Sequence, residues 1–398
     1  MNTKEYIAIE EQYGARNYNP LDVVISKAEG VWLYDVEGNK YLDCLAAYSS
    51  VNQGHCNPSI LSVFKSQAEK VTITSRAFRN DQLPKLYRKL SEMTGFEMSL
   101  PMNSGAEAVE TAIKAARRWG YRNKNIAKDK AEIIVANDNF HGRTTTIVGF
   151  STDEQYKKDF GPFTPGFKVS EYGNIDSVKE QITENTCCIM VEPIQGEAGI
   201  IIPPEGYLSE LRKLCDENNI LLAFDEIQSG LGRSGKLFAH QYENVRPDMV
   251  IIGKALSGGF YPVSAVLSDK KVLGVFGPGD HGSTFGGNPL GAAVAHAALE
   301  VIEKENLIQK SFDNGNYFMD LLRTIKSDKI KEVRGRGLWI GLELTENARK
   351  YCEDLMELGV LCKETHDYVI RIAPPLVITK DEIDWAFERI KSVIEKHS

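Results

Sequence analysis

Apolar positions follow one spacing through the middle of this chain and another toward its end. After a polar opening stretch, Val31-Trp32-Leu33-Tyr34 and Lys40-Tyr41-Leu42 flank Glu37-Gly38-Asn39, which predicts a β-hairpin. From about residue 60 to 285, short apolar runs alternate with amphipathic stretches. The runs include Glu132-Ile133-Ile134-Val135, Cys187-Cys188-Ile189-Met190-Val191, Leu221-Leu222-Ala223-Phe224 and Met249-Val250-Ile251-Ile252. Runs this short read as strands buried on both faces, and their alternation with helices predicts βαβ units in a mainly parallel sheet. Val109, Ile113, Ala116 and Trp119 recur at helical spacing and give one connecting helix its apolar face.

Past Asn288-Pro289 the spacing changes. An Ala-rich helix is expected from Gly291 to about Glu303, with Pro289 suited to a first turn. Leu338, Ile340, Leu342 and Leu344 then alternate like a half-buried strand. Thr379 and Glu382 form a capping box ahead of a last helix whose face is Ile383, Phe387, Ile390 and Ile394. The expected fold is α/β: a large domain over residues 51–290, and a smaller α+β domain drawing on residues 1–50 and 291–398. Internal repeats are absent.

Composition narrows the function classes. The 398 residues carry a net charge of −8, with no basic block, which argues against nucleic acid or an anionic membrane as partner. No apolar run approaches the roughly 18 residues that span a bilayer, and the N-terminal stretch lacks a signal-peptide core. Seven cysteines without a CxxC pair suggest free thiols in a reducing cytoplasm. Seven scattered histidines, with no HExxH, give no metal site.

Two of the buried runs end in opposite charges. Leu221–Phe224 leads into Asp225, and Met249–Ile252 leads through Gly253 into Lys254. Ligands of open α/β sheets bind at the carboxyl ends of strands, so both charges would enter one crevice. A strand-end salt bridge accounts for the pair. So does pyridoxal phosphate (PLP), with Lys254 forming a Schiff base and Asp225 keeping the pyridine nitrogen protonated. Upstream, Asn103-Ser104-Gly105-Ala106-Glu107 opens a helix. Ser104 and Glu107 match a capping box, and the same turn offers free N–H groups to a phosphate; the two roles are compatible. Asp138-Asn139-Phe140-His141-Gly142-Arg143 follows another strand. It reads as a polar loop, or as an aromatic for a pyridine ring with an arginine for a carboxylate.

Gly230-Leu-Gly232-Arg-Ser-Gly235-Lys236 satisfies both GxGxxG and most of a P-loop. Leu237 stands where a P-loop needs Ser or Thr, and no helical face follows, so a glycine-permissive loop is expected rather than a nucleotide site.

Together, Asn103–Glu107, Phe140-His141-Gly142-Arg143-Thr144, Glu192-Pro193-Ile194-Gln195-Gly196-Glu197, Asp225-Glu226-Ile227-Gln228-Ser229-Gly230 and Gly253-Lys254-Ala255-Leu256 resemble the class III PLP-dependent aminotransferases over almost the whole chain. The resemblance implies a fold-type-I homodimer. Lys254 would be the Schiff-base lysine and Asp225 the partner of the pyridinium nitrogen. Phe140 would stack on the ring beside His141, Gln228 would contact the ring hydroxyl, and Ser104, Gly105 and Ala106 would seat the phosphate with Thr284 of the other subunit.

It also implies a ping-pong transfer, through pyridoxamine phosphate, of the δ-amine of L-ornithine to 2-oxoglutarate. Glutamate 5-semialdehyde and glutamate would result, as in proline biosynthesis or arginine breakdown. Tyr18, Tyr48, Gly282–Pro289 and Arg371-Ile-Ala-Pro-Pro375 point to that substrate within the class. Arg371 would take the near carboxylate of the oxo acid, and Glu197 would neutralise it when ornithine is bound. Arg143 and Tyr18 would hold the distant end, and Tyr48 would shape the pocket. Ser104 and Ser229 stand where the pattern often has Thr, and Cys56-Asn57-Pro58 replaces a more usual His-Pro stretch. N-acetylornithine or 4-aminobutyrate as substrate, a non-catalytic binding protein on this fold, and a nucleotide-dependent oxidoreductase are the alternatives.

Overall fold

The computed structural model describes all 398 residues, and its strands form three sheets. In chain order these strands are β1 (Ile25–Glu29), β2 (Trp32–Asp35), β3 (Lys40–Asp43), β4 (Met98–Met102), β5 (Glu132–Ala136), β6 (Phe167–Ser170), β7 (Thr186–Val191) and β8 (Leu221–Asp225). They continue with β9 (Met249–Ile252), β10 (Ser264–Ser268), β11 (Ile330–Gly335), β12 (Ile340–Leu344), β13 (Val360–Leu361), β14 (Lys363–Thr365) and β15 (Val369–Ile372).

The central sheet has seven strands in the order β4-β10-β9-β8-β7-β5-β6, and only β10 runs against the rest. Its apolar runs sort by a period of two. Ile133, Val135, Met190, Ala223 and Ile251 join one core cluster, on which the helix Gly105–Asn123 lays Val109, Ile113 and Trp119. Ile134, Ile189, Val191, Leu222 and Phe224 face the other side, under Leu208, Leu211 and Cys215 of the helix Tyr207–Asn218. Both faces are covered, and every residue of β7, β8 and β9 is therefore buried. The expected α/β class and mainly parallel sheet are observed.

The expected hairpin is β2–β3, with Trp32 opposite Leu42. β13, from near the other end of the chain, adds in parallel to β3. The third sheet, β11-β12-β15-β14, is antiparallel throughout. The Ala-rich helix spans Pro289–Lys304, capped by Asn288, and the last helix spans Lys380–Lys396 behind the Thr379/Glu382 box. One detail differs from expectation. The strand starts at Ile340 rather than Leu338, because side chains take Leu338's backbone groups: Ser311 Oγ accepts its N–H and Arg233 donates to its carbonyl. The Gly230–Lys236 stretch forms turns and then a bend, as a loop should.

Candidate active site

Register brings the two strand-end charges together. Asp225 pairs with Ile251 across β8 and β9, so Lys254 lies just past the same edge of the sheet. Both line a cavity of about 200 Å³ with Phe140, His141, Gln228 and the first residues of the helix at Gly105. They do not form the simple salt bridge that sequence allowed. Asp225 Oδ2 instead lies 2.7 Å from His141 Nδ1, and its Oδ1 accepts the N–H of Ile227 at 3.0 Å. Burial opposes charge on His141, but the hydrogen bond and proximity of Asp225 outweigh it and raise the imidazole pKa. The carboxylate is thus fixed in orientation and aimed by its imidazole.

Lys254 follows Gly253 at φ 45° and lines both this cavity and a second of about 320 Å³. Desolvation lowers its pKa, with Glu197 and Asp225 opposing and Arg371 assisting. A neutral amine is what attack on a carbonyl requires.

Ser104 caps the helix as expected. Its hydroxyl accepts the Glu107 N–H at 3.2 Å, while Glu107 accepts the N–H groups of Ser104 and Asn103 at 2.9 Å each. The capping box leaves the first-turn N–H groups of Gly105 and Ala106 without helical partners. A Cβ at position 105 would meet Ile227 at 3.0 Å, so glycine keeps the approach to this turn open.

Of the remaining site residues, Glu197, Gln228 and Tyr48 gather around Arg371. Arg371, 2% exposed, donates from Nη1 to Glu197 Oε1 at 3.0 Å, and Gln228 Nε2 donates to the same oxygen at 3.1 Å. Burial would raise the Glu197 pKa; Arg371, aided by Lys254 and Arg143, brings it below the usual value. The Tyr48 ring lies 5.1 Å from the Arg371 guanidinium. Arg143 rests on aromatic faces, 3.7 Å from the Tyr156 ring centre and 5.5 Å from that of Phe140. Tyr18 is 80% exposed and shares with Tyr48 the lining of a further cavity of about 470 Å³. Thr284 is exposed and lines none of these cavities of its own chain.

Sequence reasoning assigned no role to Glu192 or Tyr156. Glu192 ends the β7 region as Asp225 ends β8, and that repeated strand-end carboxylate was the available signal. Its two oxygens accept the N–H groups of Phe140 at 2.9 Å and Gly196 at 3.2 Å, joining the aromatic to the Glu197 segment. Burial, with Asp225 nearby, pushes its carboxyl up to about 7.

A parallel-sheet crevice holding a desolvated lysine, an imidazole-braced aspartate and a helix turn with free first-turn N–H groups defines a PLP-type transferase site. One buried atom sharpens the fit: Gln228 Oε1 has no protein partner although Gln228 lines the cavity, an acceptor left for a ligand hydroxyl. Residues 13–394 match the family model for class III aminotransferases, and the chain belongs to that family.

Among its relatives, an ornithine aminotransferase of Brevibacillus brevis is 61% identical over 394 residues, covering 98% of this chain and 99% of the relative. That of Bacillus subtilis is 57% identical over 392 residues, 98% of both chains. The ornithine aminotransferase structure from Toxoplasma gondii superposes with a TM-score of 0.98 at 43% identity, covering 99% of this chain and 94% of that one. An acetylornithine aminotransferase of Elizabethkingia anophelis gives 0.91 at 44% identity over the full length of both.

Proposed function

We propose that this aminotransferase moves the δ-amino group of L-ornithine to 2-oxoglutarate, with PLP as cofactor, yielding glutamate 5-semialdehyde and glutamate. The observation that carries the reading is the Glu197–Arg371 pair beside Lys254. Ornithine must present its far amine, while 2-oxoglutarate must present a keto carbon that carries a carboxylate. An arginine fixed open near Lys254 would recruit the α-carboxylate of ornithine and direct chemistry to the wrong end. Closed on Glu197, Arg371 is neutralised; opened, it binds the oxo acid bidentately.

PLP, when bound, supplies a carbonyl that condenses with amines and a cationic ring that draws electron density from the adjacent C–H bond. Lys254 Nζ, its pKa lowered by desolvation, would take the proton from the substrate carbon and return it. Asp225, held by His141, places negative charge where the ring nitrogen would lie. Phe140 offers its face to the ring and Gln228 Oε1 an acceptor to its hydroxyl. The Ser104–Ala106 turn would offer its free N–H groups to the phosphate. Arg143, resting on the aromatic faces of Tyr156 and Phe140, would take the α-carboxylate of ornithine, aided by Tyr18. In a homodimer the exposed Thr284 would serve the neighbour's phosphate seat. The catalytic crevice lies in residues 51–290, and Arg371 enters it from the smaller domain. No helix is long and apolar enough to cross a membrane.

The test is spectroscopic. L-Ornithine added to the purified PLP-loaded protein should bleach its visible band with release of the semialdehyde. Faster bleaching by N-acetylornithine or 4-aminobutyrate at equal concentration would replace ornithine as the substrate.

A further inference from the structure

Tyr48 reaches Arg371 from an uncommon piece of backbone. Ala46, Ala47, Tyr48 and Ser49 have φ of 49°, 46°, 57° and 71°. They form one left-handed turn, closed by Ser50 N–H donating to the Ala46 carbonyl at 2.9 Å. For L-residues this conformation crowds each Cβ against a carbonyl oxygen. The segment contains no glycine or asparagine to ease it, so the turn has to be imposed from outside.

Asp43 imposes it. This residue is 3% exposed, and its Oδ1 accepts the N–H groups of both Leu45 and Ala46 at 2.8 Å. Its Oδ2 lies 2.7 Å from His55 Nε2, and His55 is itself locked by two backbone hydrogen bonds to Gly30. The root of the turn is also tied to the strand bearing Arg371, because Ala373 N–H donates to the Cys44 carbonyl at 2.7 Å. Beyond the turn, Leu376 N–H donates to the Asn52 carbonyl at 2.8 Å. The Tyr48 segment and the Arg371 segment are thus fastened at both ends, with the strained turn between.

We propose that Asp43 is a positioning residue for substrate recognition: it holds residues 46–49 left-handed and so sets Tyr48 against Arg371. The inference rests on the ornithine reading above. Without the Asp43 carboxylate, two N–H groups lose their acceptor and the turn relaxes toward conformations that alanine prefers. Tyr48 then leaves the pocket wall.

The test is a double-mutant cycle on kcat/KM for L-ornithine. Asp43→Ala should lose about tenfold, the scale of a small misplacement in a binding site. Added to Tyr48→Ala it should lose less than about twofold further, because its effect passes through that ring. A tenfold loss in both backgrounds overturns the proposal. Ala47 is exposed, so glycine there sacrifices no packing. Ala47→Gly should raise the melting temperature by about 2 °C, although Ala→Gly ordinarily lowers it. It should also restore at least half the activity lost in Asp43→Ala. A lowered melting temperature or no rescue overturns the strain argument. If Asp43→Ala fails to fold, Asp43→Asn, keeping one acceptor, takes its place in the cycle with a smaller loss. Wild-type protein inert toward L-ornithine would instead overturn the functional reading, and the melting comparison would still judge the turn.

Discussion

Glu197 holds Arg371 and Gln228 on a single oxygen: Oε1 receives Arg371 Nη1 at 3.0 Å and Gln228 Nε2 at 3.1 Å. A residue on the cavity wall and the residue proposed for the incoming carboxylate therefore share one acceptor, and opening the ion pair would free both. Arg371 is also within 3.4 Å of the Gly196 carbonyl, so it stays tethered when Glu197 lets go. Glu197→Gln or Glu197→Ala should leave Arg371 permanently available. Single-turnover rates should then fall for L-ornithine about tenfold more than for L-glutamate, an energy of about 1.4 kcal/mol. Equal losses on both amines would exclude a switch.

Lys254→Ala should remove turnover by at least roughly 10³-fold, because both the attacking amine and the proton carrier disappear. The fold should be retained, since the deleted group is an amine that burial already penalises. Thermal melting within a few degrees of wild type, with PLP still bound non-covalently, completes the expectation. Appreciable activity in this variant would remove Lys254 from the mechanism.

These residues differ in how far sequence exposed them. Asp225 and Lys254 were legible because each directly follows a buried strand, and the chemistry of a sheet's carboxyl edge is local information. Ser104 was legible as a cap for the same reason. The Glu197–Arg371 contact joins residues 174 apart in sequence, and only the resemblance to a family supplied it. Asp43 remained silent because it acts on backbone N–H groups, which no residue pattern advertises, and Glu192 showed only as a second carboxylate at a strand end. The left-handed turn at Ala46–Ser49 was invisible for a related reason: Ala-Ala-Tyr-Ser has no local preference for it, and tertiary hydrogen bonds decide.

Glu192 gives the fold a pH dependence of known sign. Its carboxyl titrates at about 7 when folded, against an ordinary value of 4.5. A raised folded pKa means that its contribution is complete below pH 4.5 and is lost as pH rises through 7. Glu192→Gln cannot ionise. The stability of wild type relative to that variant should fall by on the order of 3 kcal/mol across this window. Urea unfolding of the cofactor-free protein at several pH values between 4.5 and 8.5, an interval of about four units, measures it. A difference that stays flat with pH would show that Glu192 remains ionised throughout.

Arg233, from the glycine-rich loop that mimics a nucleotide motif, instead stitches the site's backbone. It is fully buried, donating from Nη1 to the carbonyls of Leu338 and Pro374 at 2.7 Å each, and from Nη2 to Asn52 Oδ1 at 2.6 Å. Pro374 lies three residues past Arg371, and Asn52 four past Tyr48, so one guanidinium fastens the approaches to both. Burial depresses its pKa to about 9, with Asp43 opposing. Arg233→Met would leave three buried oxygens without donors, at a cost of about 3–5 kcal/mol. Arg233→Lys keeps the charge but not the fork, and should recover less than half of that. Because the Arg371 segment is loosened together with that of Tyr48, the lysine variant should show a KM for 2-oxoglutarate raised several-fold, with kcat changed less. Denaturant titration and steady-state kinetics on the same preparations would measure both effects. Unchanged stability in Arg233→Met would mean that water replaces the guanidinium at all three oxygens.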